Sequence, residues 1–231
     1  MDKVIGIIGG MGPEATVDLF RKIVEATPAK KDQEHLRILI DCNPKIPSRP
    51  AALLKGGPDP TPLLQETARG LERAGAEVLL VACNTAHLFH DRLVAAVRIP
   101  VLHIVDEAVA DAVRRYPHVH SVGILAGGAA VRLQLYQDRL EAKGIRAIVP
   151  SEQDQQRVVS VIYSVKAGDK GPKVRASIRE VAEHLARAGA ELLFTGCTEL
   201  PLVLQDGDVG VPVLDPTEIL ARSAVRFARG A

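Results

Sequence analysis

Two cysteines stand at matching places in a repeated block. Residues 71–88 read LERAGAEVLLVACNTAHL and residues 185–202 read LARAGAELLFTGCTELPL. Cys83 and Cys197 lie 114 residues apart, as do Leu71 and Leu185, so the register holds across the block. Each copy predicts the end of a helix, a Gly-Ala turn, a buried strand and then the thiol. A free cysteine titrates near ~8.5, and a helix N-terminus after each strand would lower that value for either thiol. A thiolate on one side of a bound carbon removes a proton, and a thiol on the other side delivers one. That is racemisation or epimerisation, which needs an acid and a base on opposite faces.

The Cα proton of an amino acid is weakly acidic, so such a site must also stabilise the carbanion or enediolate with donors around the carboxylate. Backbone N–H groups at helix N-termini, Asn84, Thr85 and Thr198 are the local candidates. His87, about one helical turn after Cys83, is placed to tune that thiol, and equally to cap or to fill space. Glu199 is placed to cap its helix or to modulate Cys197. Arg49 and Lys166 fall in stretches read as irregular loops. They are suited to a carboxylate, the alternative for each being a solvated charge. Cys42 has no counterpart and reads as structural. A single buried cysteine is more often a small apolar core residue than a catalyst. The matched register and the polar Asn-Thr and Thr-Glu pairs that follow favour chemistry here.

The elements that position these residues alternate between strand and helix. Residues 4–8 form a β-branched run of the kind buried on both faces, followed by GGMGPEAT at 9–16. Its glycines allow a tight turn, and Pro13 and Glu14 suit a first helical turn, with the helix running to about Ala26. A strand is expected over 36–41, then irregular segments at 42–50 and 56–62. A helix over 63–74 leads into the first cysteine block, followed by a helix at 88–97, a strand at 101–105 and a helix at 106–116. A second pass opens at 119–125, where Gly123 echoes Gly6. It continues with a helix ended by Gly144, a strand at 145–149, and helices at 153–163 and 173–188. Ile99-Pro100-Val101-Leu102 returns as Val211-Pro212-Val213-Leu214. The expected fold is therefore α/β: two similar lobes, each a parallel sheet flanked by helices, with the cysteines facing a cleft between them.

The 231 residues suffice for one large or two small domains. A formal net charge of +1 and 3% aromatic residues argue against a nucleic-acid partner. There is no signal peptide pattern and no apolar run of membrane-spanning length, so a cytoplasmic protein is expected. Three cysteines without framework spacing fit a reducing compartment. The first glycine turn runs G-x-x-G-G-x-G, a weak match to a dinucleotide loop, and a Walker lysine is absent. Neither cysteine has a close paired ligand, so no metal is expected.

These residues together resemble the aspartate/glutamate racemase superfamily, which works without pyridoxal phosphate, and within it the aspartate racemase-like, broad amino-acid racemase branch. The matching pieces are IGIIGGMGPEAT, NPKIPSR, GPDP, ACNTAH, VKAG and GCTELPL, spread over nearly the whole length. Cell-wall glutamate racemases are similar but usually carry Asp-Ser near the first glycine turn and GCTHYP at the second cysteine. The resemblance implies Cys83 and Cys197 as the thiol pair and no cofactor. It implies Arg49 and Lys166 near the substrate carboxylates or the cysteines, and contacts from the Met11 backbone, Asn84, Thr85 and Thr198. It also implies a homodimer whose first lobe takes residues 1–103 and 214–231 and whose second takes 104–213. One departure is plain. The family's LAT-x-GT loop is here Leu125-Ala126-Gly127-Gly128-Ala129-Ala130, without either hydroxyl.

The expected activity is racemisation of aspartate, glutamate or a related amino acid. Two alternatives stand beside it. One is decarboxylation or cis–trans isomerisation of a small dicarboxylic acid on the same fold. The other is a non-catalytic small-acid binder or thiol redox sensor.

Overall fold

The computed structural model describes residues 2–230. The chain divides into two compact units, Met1–Glu107 with Thr217–Ala231, and Ala108–Pro216.

In the first unit, strands β1 (Ile5–Gly9), β2 (Ile38–Cys42) and β3 (Val78–Val81) form a parallel sheet in the order β2-β1-β3. Helices α1 (Pro13–Ala26), α2 (Arg49–Lys55), α3 (Thr61–Arg73) and α4 (His90–Val94) accompany them, and α5 (Ile104–Arg115) begins here. The chain's last helix returns to this unit: Lys3 N–H donates to the Ala228 carbonyl at 2.9 Å. In the second unit, β4 (Ser121–Ala126), β5 (Arg146–Ile148), β6 (Leu192–Gly196) and β7 (Val213–Leu214) form a parallel sheet ordered β5-β4-β6-β7. Its helices are α6 (Gly128–Arg132), α7 (Gln137–Glu141), α8 (Glu152–Lys166) and α9 (Pro172–Arg187); α10 (Pro216–Arg229) closes the chain. β1, β3, β4 and β6 are buried along their whole length, as their apolar runs require.

The duplication is visible in packing detail. A Cβ built on Gly6 would lie 2.9 Å from Ala76 Cβ and 3.4 Å from Leu71 Cβ, with Leu79 closer still. One on Gly123 would lie 3.1 Å from Ala190 Cβ and 3.3 Å from Leu185 Cβ, again with the matching Leu193 closest. Each central strand thus carries a glycine so that the repeated helix–turn–strand block can lie close against it. The turn itself is the same in both copies. Gly75 (φ 100°) and Gly189 (φ 96°) are left-handed, and the N–H groups of Ala76 and Ala190 reach back to the carbonyls of Leu71 and Leu185, both at 3.0 Å. This is the Schellman closure of a helix, for which glycine carries no steric cost.

Four expectations need correction. Residues 101–105 do not form a strand: Val101 makes a single bridge with Leu79, and α5 starts at Ile104. His103 Nδ1 accepts from the N–H groups of Val105 (3.3 Å) and Asp106 (3.4 Å), capping the helix early. The helix expected after β4 is broken into α6 and α7. Gln134 at φ 54° ends α6, with Leu135 N–H on the Ala130 carbonyl at 2.9 Å. Arg49 is not in a loop but opens α2, because Ser48 Oγ accepts from Ala51 N–H and Pro50 is tolerated in a first turn. Lys166 likewise ends α8, which runs three residues beyond the expected Tyr163.

Candidate active site

In a parallel sheet all carboxyl ends lie on one edge, so the loops after β1, β2 and β3 gather there. The GGMGPEAT turn is held by Thr16, whose Oγ1 accepts from Gly10 N–H at 2.9 Å and donates to the Gly12 carbonyl at 3.0 Å. Gly10 has φ 88°, and a Cβ there would lie 2.6 Å from the Asn43 backbone nitrogen. Only glycine fits where this turn meets the loop after β2. Arg49 joins the same two segments. Its Nη1 donates to the carbonyls of Ile46 (3.1 Å) and Pro47 (2.8 Å), and its Nη2 donates to that of Met11 (3.2 Å). Met11, Ile46 and Cys83 belong to one buried apolar cluster with Ile8 and Phe89. The first unit therefore brings Met11, Arg49 and Cys83 together at one edge, with Asn84 (buried) and Thr85 (half-buried) next to the thiol in sequence.

Cys83 follows β3 by two residues and is 7% exposed. Among the described residues its Sγ has no hydrogen-bond partner. His87 does not touch that thiol. Its Nδ1 donates to the Cys83 backbone carbonyl at 2.9 Å, and its Nε2 accepts from Ile104 N–H at 3.2 Å. Those two bonds fix a neutral Nδ1–H tautomer. Burial is the main cause that lowers the His87 pKa to about 4, with the charge of neighbouring His90 adding to it. His103 stands edge-on to both rings at 4.7 Å. Sequence reading missed His90 and His103 because they pack against His87 and cap α5, contacts that local spacing does not reveal.

In the second unit Cys197 directly follows β6 and is half-buried. Its Sγ donates to Glu199 Oε2 at 3.0 Å. Thr198 Oγ1 donates to the same oxygen at 3.3 Å, and Lys166 Nζ forms an ion pair with Glu199 Oε1. Glu199 is 3% exposed, so this carboxylate is buried and held by three groups. Thus Lys166, Cys197, Thr198 and Glu199 form one connected cluster. The thiol expected to be lowered by a helix N-terminus is instead raised well above the usual cysteine value. Burial is the first cause, then the charge and hydrogen bond of Glu199; Lys166 opposes them. The helix argument fails because only a three-residue 3-10 turn, Leu200–Leu202, follows the cysteine.

Tyr136 is the residue here that sequence reading did not single out. Its ring is fully buried beside Phe194, and a Cβ on Gly196 would come within 2.9 Å of Tyr136 Cε2. Its pKa is raised, first by burial and then by the charges of Asp215 and Cys197. The glycine before Cys197, where the first copy has Ala82, was the legible trace of that ring. The loop lacking both threonines folds as the start of α6: Gly127 is its N-cap, without a side-chain hydrogen bond, and Ala129 and Ala130 are buried.

No helix among the described residues is long and apolar enough to cross a membrane. The family model for Asp/Glu/Hydantoin racemase matches residues 8–224. The broad specificity amino-acid racemase RacX of Bacillus subtilis is 25% identical over 229 residues, covering 96% of each chain. The structure of an aspartate racemase from Picrophilus torridus superposes with a TM-score of 0.88 at 30% identity, covering 98% of this chain and 94% of that one. That of an aspartate racemase homologue from Pyrococcus horikoshii gives 0.80 at 30% identity, covering 99% and 100%. A glutamate racemase from Francisella tularensis, solved with D-glutamate, shares the fold at 18% identity and a TM-score of 0.68. With two duplicated parallel-sheet units, a thiol at the same strand end of each, and a family match across nearly its whole length, this chain belongs to the Asp/Glu/Hydantoin racemase family.

Proposed function

We propose that this chain is a cofactor-independent racemase of aspartate, glutamate or a related amino acid, in which Cys83 and Cys197 act on opposite faces of Cα. The observation that carries this reading is the internal repeat. It sets one thiol at the equivalent strand end of each unit, the matched pair that an exchange of acid and base roles needs. One thiol takes the Cα proton and the other delivers its own. Arg49, the Met11 backbone, Asn84, Thr85 and Thr198 serve the substrate carboxylate and ammonium, and Lys166 adds positive charge beside Cys197. Arg49 suits that role because its guanidinium is held only by neutral carbonyls, which leaves its charge uncompensated by any ion pair among the described residues. A homodimer in a reducing cytoplasm completes the reading. Three free thiols and the exposed apolar side chains Val17, Phe20 and Val24 on α1 support it.

The test is α-proton exchange in D₂O followed by NMR, with L- and D-amino acids led by aspartate and glutamate and no added cofactor. Loss of the α-proton signal together with appearance of the other enantiomer is expected. Absence of exchange across the panel, with folded protein and free thiols, would overturn the racemase reading and favour a non-amino-acid reaction or a redox sensor.

A further inference from the structure

The two thiols are equivalent in the repeat but not in their surroundings. Cys197 hydrogen-bonds a buried carboxylate that is itself paired with an ammonium group. Cys83 has no polar partner at sulfur among the described residues, and its neighbouring imidazole is committed to backbone groups on both nitrogens. A carboxylate that accepts a hydrogen bond from S–H favours the protonated thiol, because the thiolate would face a like charge. We propose that Glu199, with its charge balanced by Lys166, holds Cys197 as the resting thiol, so that Cys197 enters the reaction as the acid of the pair. This deepens the two-thiol reading and rests on it.

The charged and titratable groups that bear on Cys197 are Glu199, Lys166 and Tyr136, the last beside Asp215; on the Cys83 side stand His87, with His90 and His103 behind it, and Arg49 at the same sheet edge. Only Glu199 distinguishes the two sides by a full charge at hydrogen-bond distance from sulfur. In the resting form, the Cα proton of substrate passes to Cys83 Sγ, and the Cys197 Sγ proton passes to the opposite face of Cα. Cys83 then holds a proton and Cys197 is a thiolate beside Glu199. The resting form returns when Cys83 releases that proton to water and Cys197 takes one from water, with no net consumption. One enantiomer therefore meets the dominant form and the other the minor form. For a racemisation with an equilibrium constant of one, kcat/KM is the same in both directions. The asymmetry must show as kcat and KM that differ in the same ratio.

The experiment is site-resolved alkylation by iodoacetamide, read by mass spectrometry from pH 5 to 10 on the full chain without substrate. The midpoint of each thiol's rate profile, not its absolute rate, removes the difference in access. The Cys197 midpoint is expected to lie above the ordinary range of a free cysteine. Glu199→Gln should lower it by at least one pH unit, which is about a tenfold rise in thiolate at pH 7, and leave Cys83 in place. Lys166→Met should move it upward. The same Glu199→Gln variant should narrow the kcat and KM difference between enantiomers. A wild-type Cys197 midpoint within the ordinary cysteine range, or one unmoved by Glu199→Gln, would overturn the proposal. If Glu199→Gln does not fold, Lys166→Met decides: an upward shift supports the proposal, while no shift or a downward one defeats it. Because the titration needs no substrate, it stands or falls separately from the exchange experiment.

Discussion

The His87 imidazole bridges the backbone carbonyl of Cys83 and the first N–H of α5, at 2.9 and 3.2 Å. The neutral ring, a donor on one nitrogen and an acceptor on the other, satisfies both groups at once. Replacing it with alanine orphans two buried backbone groups and opens a cavity. His87→Ala should cost about 3 kcal/mol or more in a denaturant titration. It should also lower racemisation about tenfold, because the Cys83 turn loses its anchor.

The same ring gives the fold an acid sensitivity. Its pKa is about 4 in the folded chain, against 6.5 for an unperturbed histidine. Between those values the unfolded chain binds a proton that the folded chain does not, so stability rises with pH. The stability is complete above about pH 6.5 and is lost as pH falls toward 4, by about 3 kcal/mol from this one residue. Denaturant midpoints measured from pH 7.5 to pH 4 should trace that loss. His87→Ala should lack this part of it.

On the proposed mechanism the three cysteines separate by role. Cys83→Ala and Cys197→Ala should each lower racemisation by about 10³-fold, within the range for removing a general acid or base. Cys42 is exposed at the end of β2, and Cys42→Ser should leave kcat and KM unchanged. Chiral chromatography of the reaction with each single variant decides this. Full activity in both of the first two would defeat the thiol mechanism.

Gly196 carries the Tyr136 ring and the Cys197 backbone at once. A methyl there would sit 2.9 Å from the ring and 3.1 Å from Ala126 Cβ, neither of which has room to retreat in a buried core. Gly196→Ala should cost about 1–3 kcal/mol, as overpacking does, and should lower activity more than Gly128→Ala. The built Cβ at Gly128 has nothing nearer than 3.9 Å.

Gly127 offers the opposite opportunity. As N-cap of α6 it has φ −62° and ψ 149°, a conformation open to any residue. Gly127→Thr restores one of the hydroxyls that the family loop usually has and caps the helix. A rise in stability of a few tenths of a kcal/mol is expected. The rates across the amino-acid panel should change relative to one another, since a hydroxyl contact is worth about 1 kcal/mol.

The sequence by itself determined the repeat, the buried parallel strands and the matched placement of Cys83 and Cys197. These rest on local patterns: β-branched runs, a left-handed glycine after a helix, and a register of 114 residues. It also marked Gly6 and Gly123 as echoes, although only packing explains them, since each makes room for the block that returns later in the chain. What the tertiary structure alone decided is how each thiol is dressed. Lys166 and Glu199 are 33 residues apart, and nothing in their spacing says that a helix end and a strand end bring them into an ion pair. His87 lay within one turn of Cys83, yet its ring was claimed by Ile104, 17 residues on. Hydrophobic and helical periodicities are read along the chain. The charge and hydrogen bonds that set a thiol's proton come from side chains that meet only after the sheets have formed.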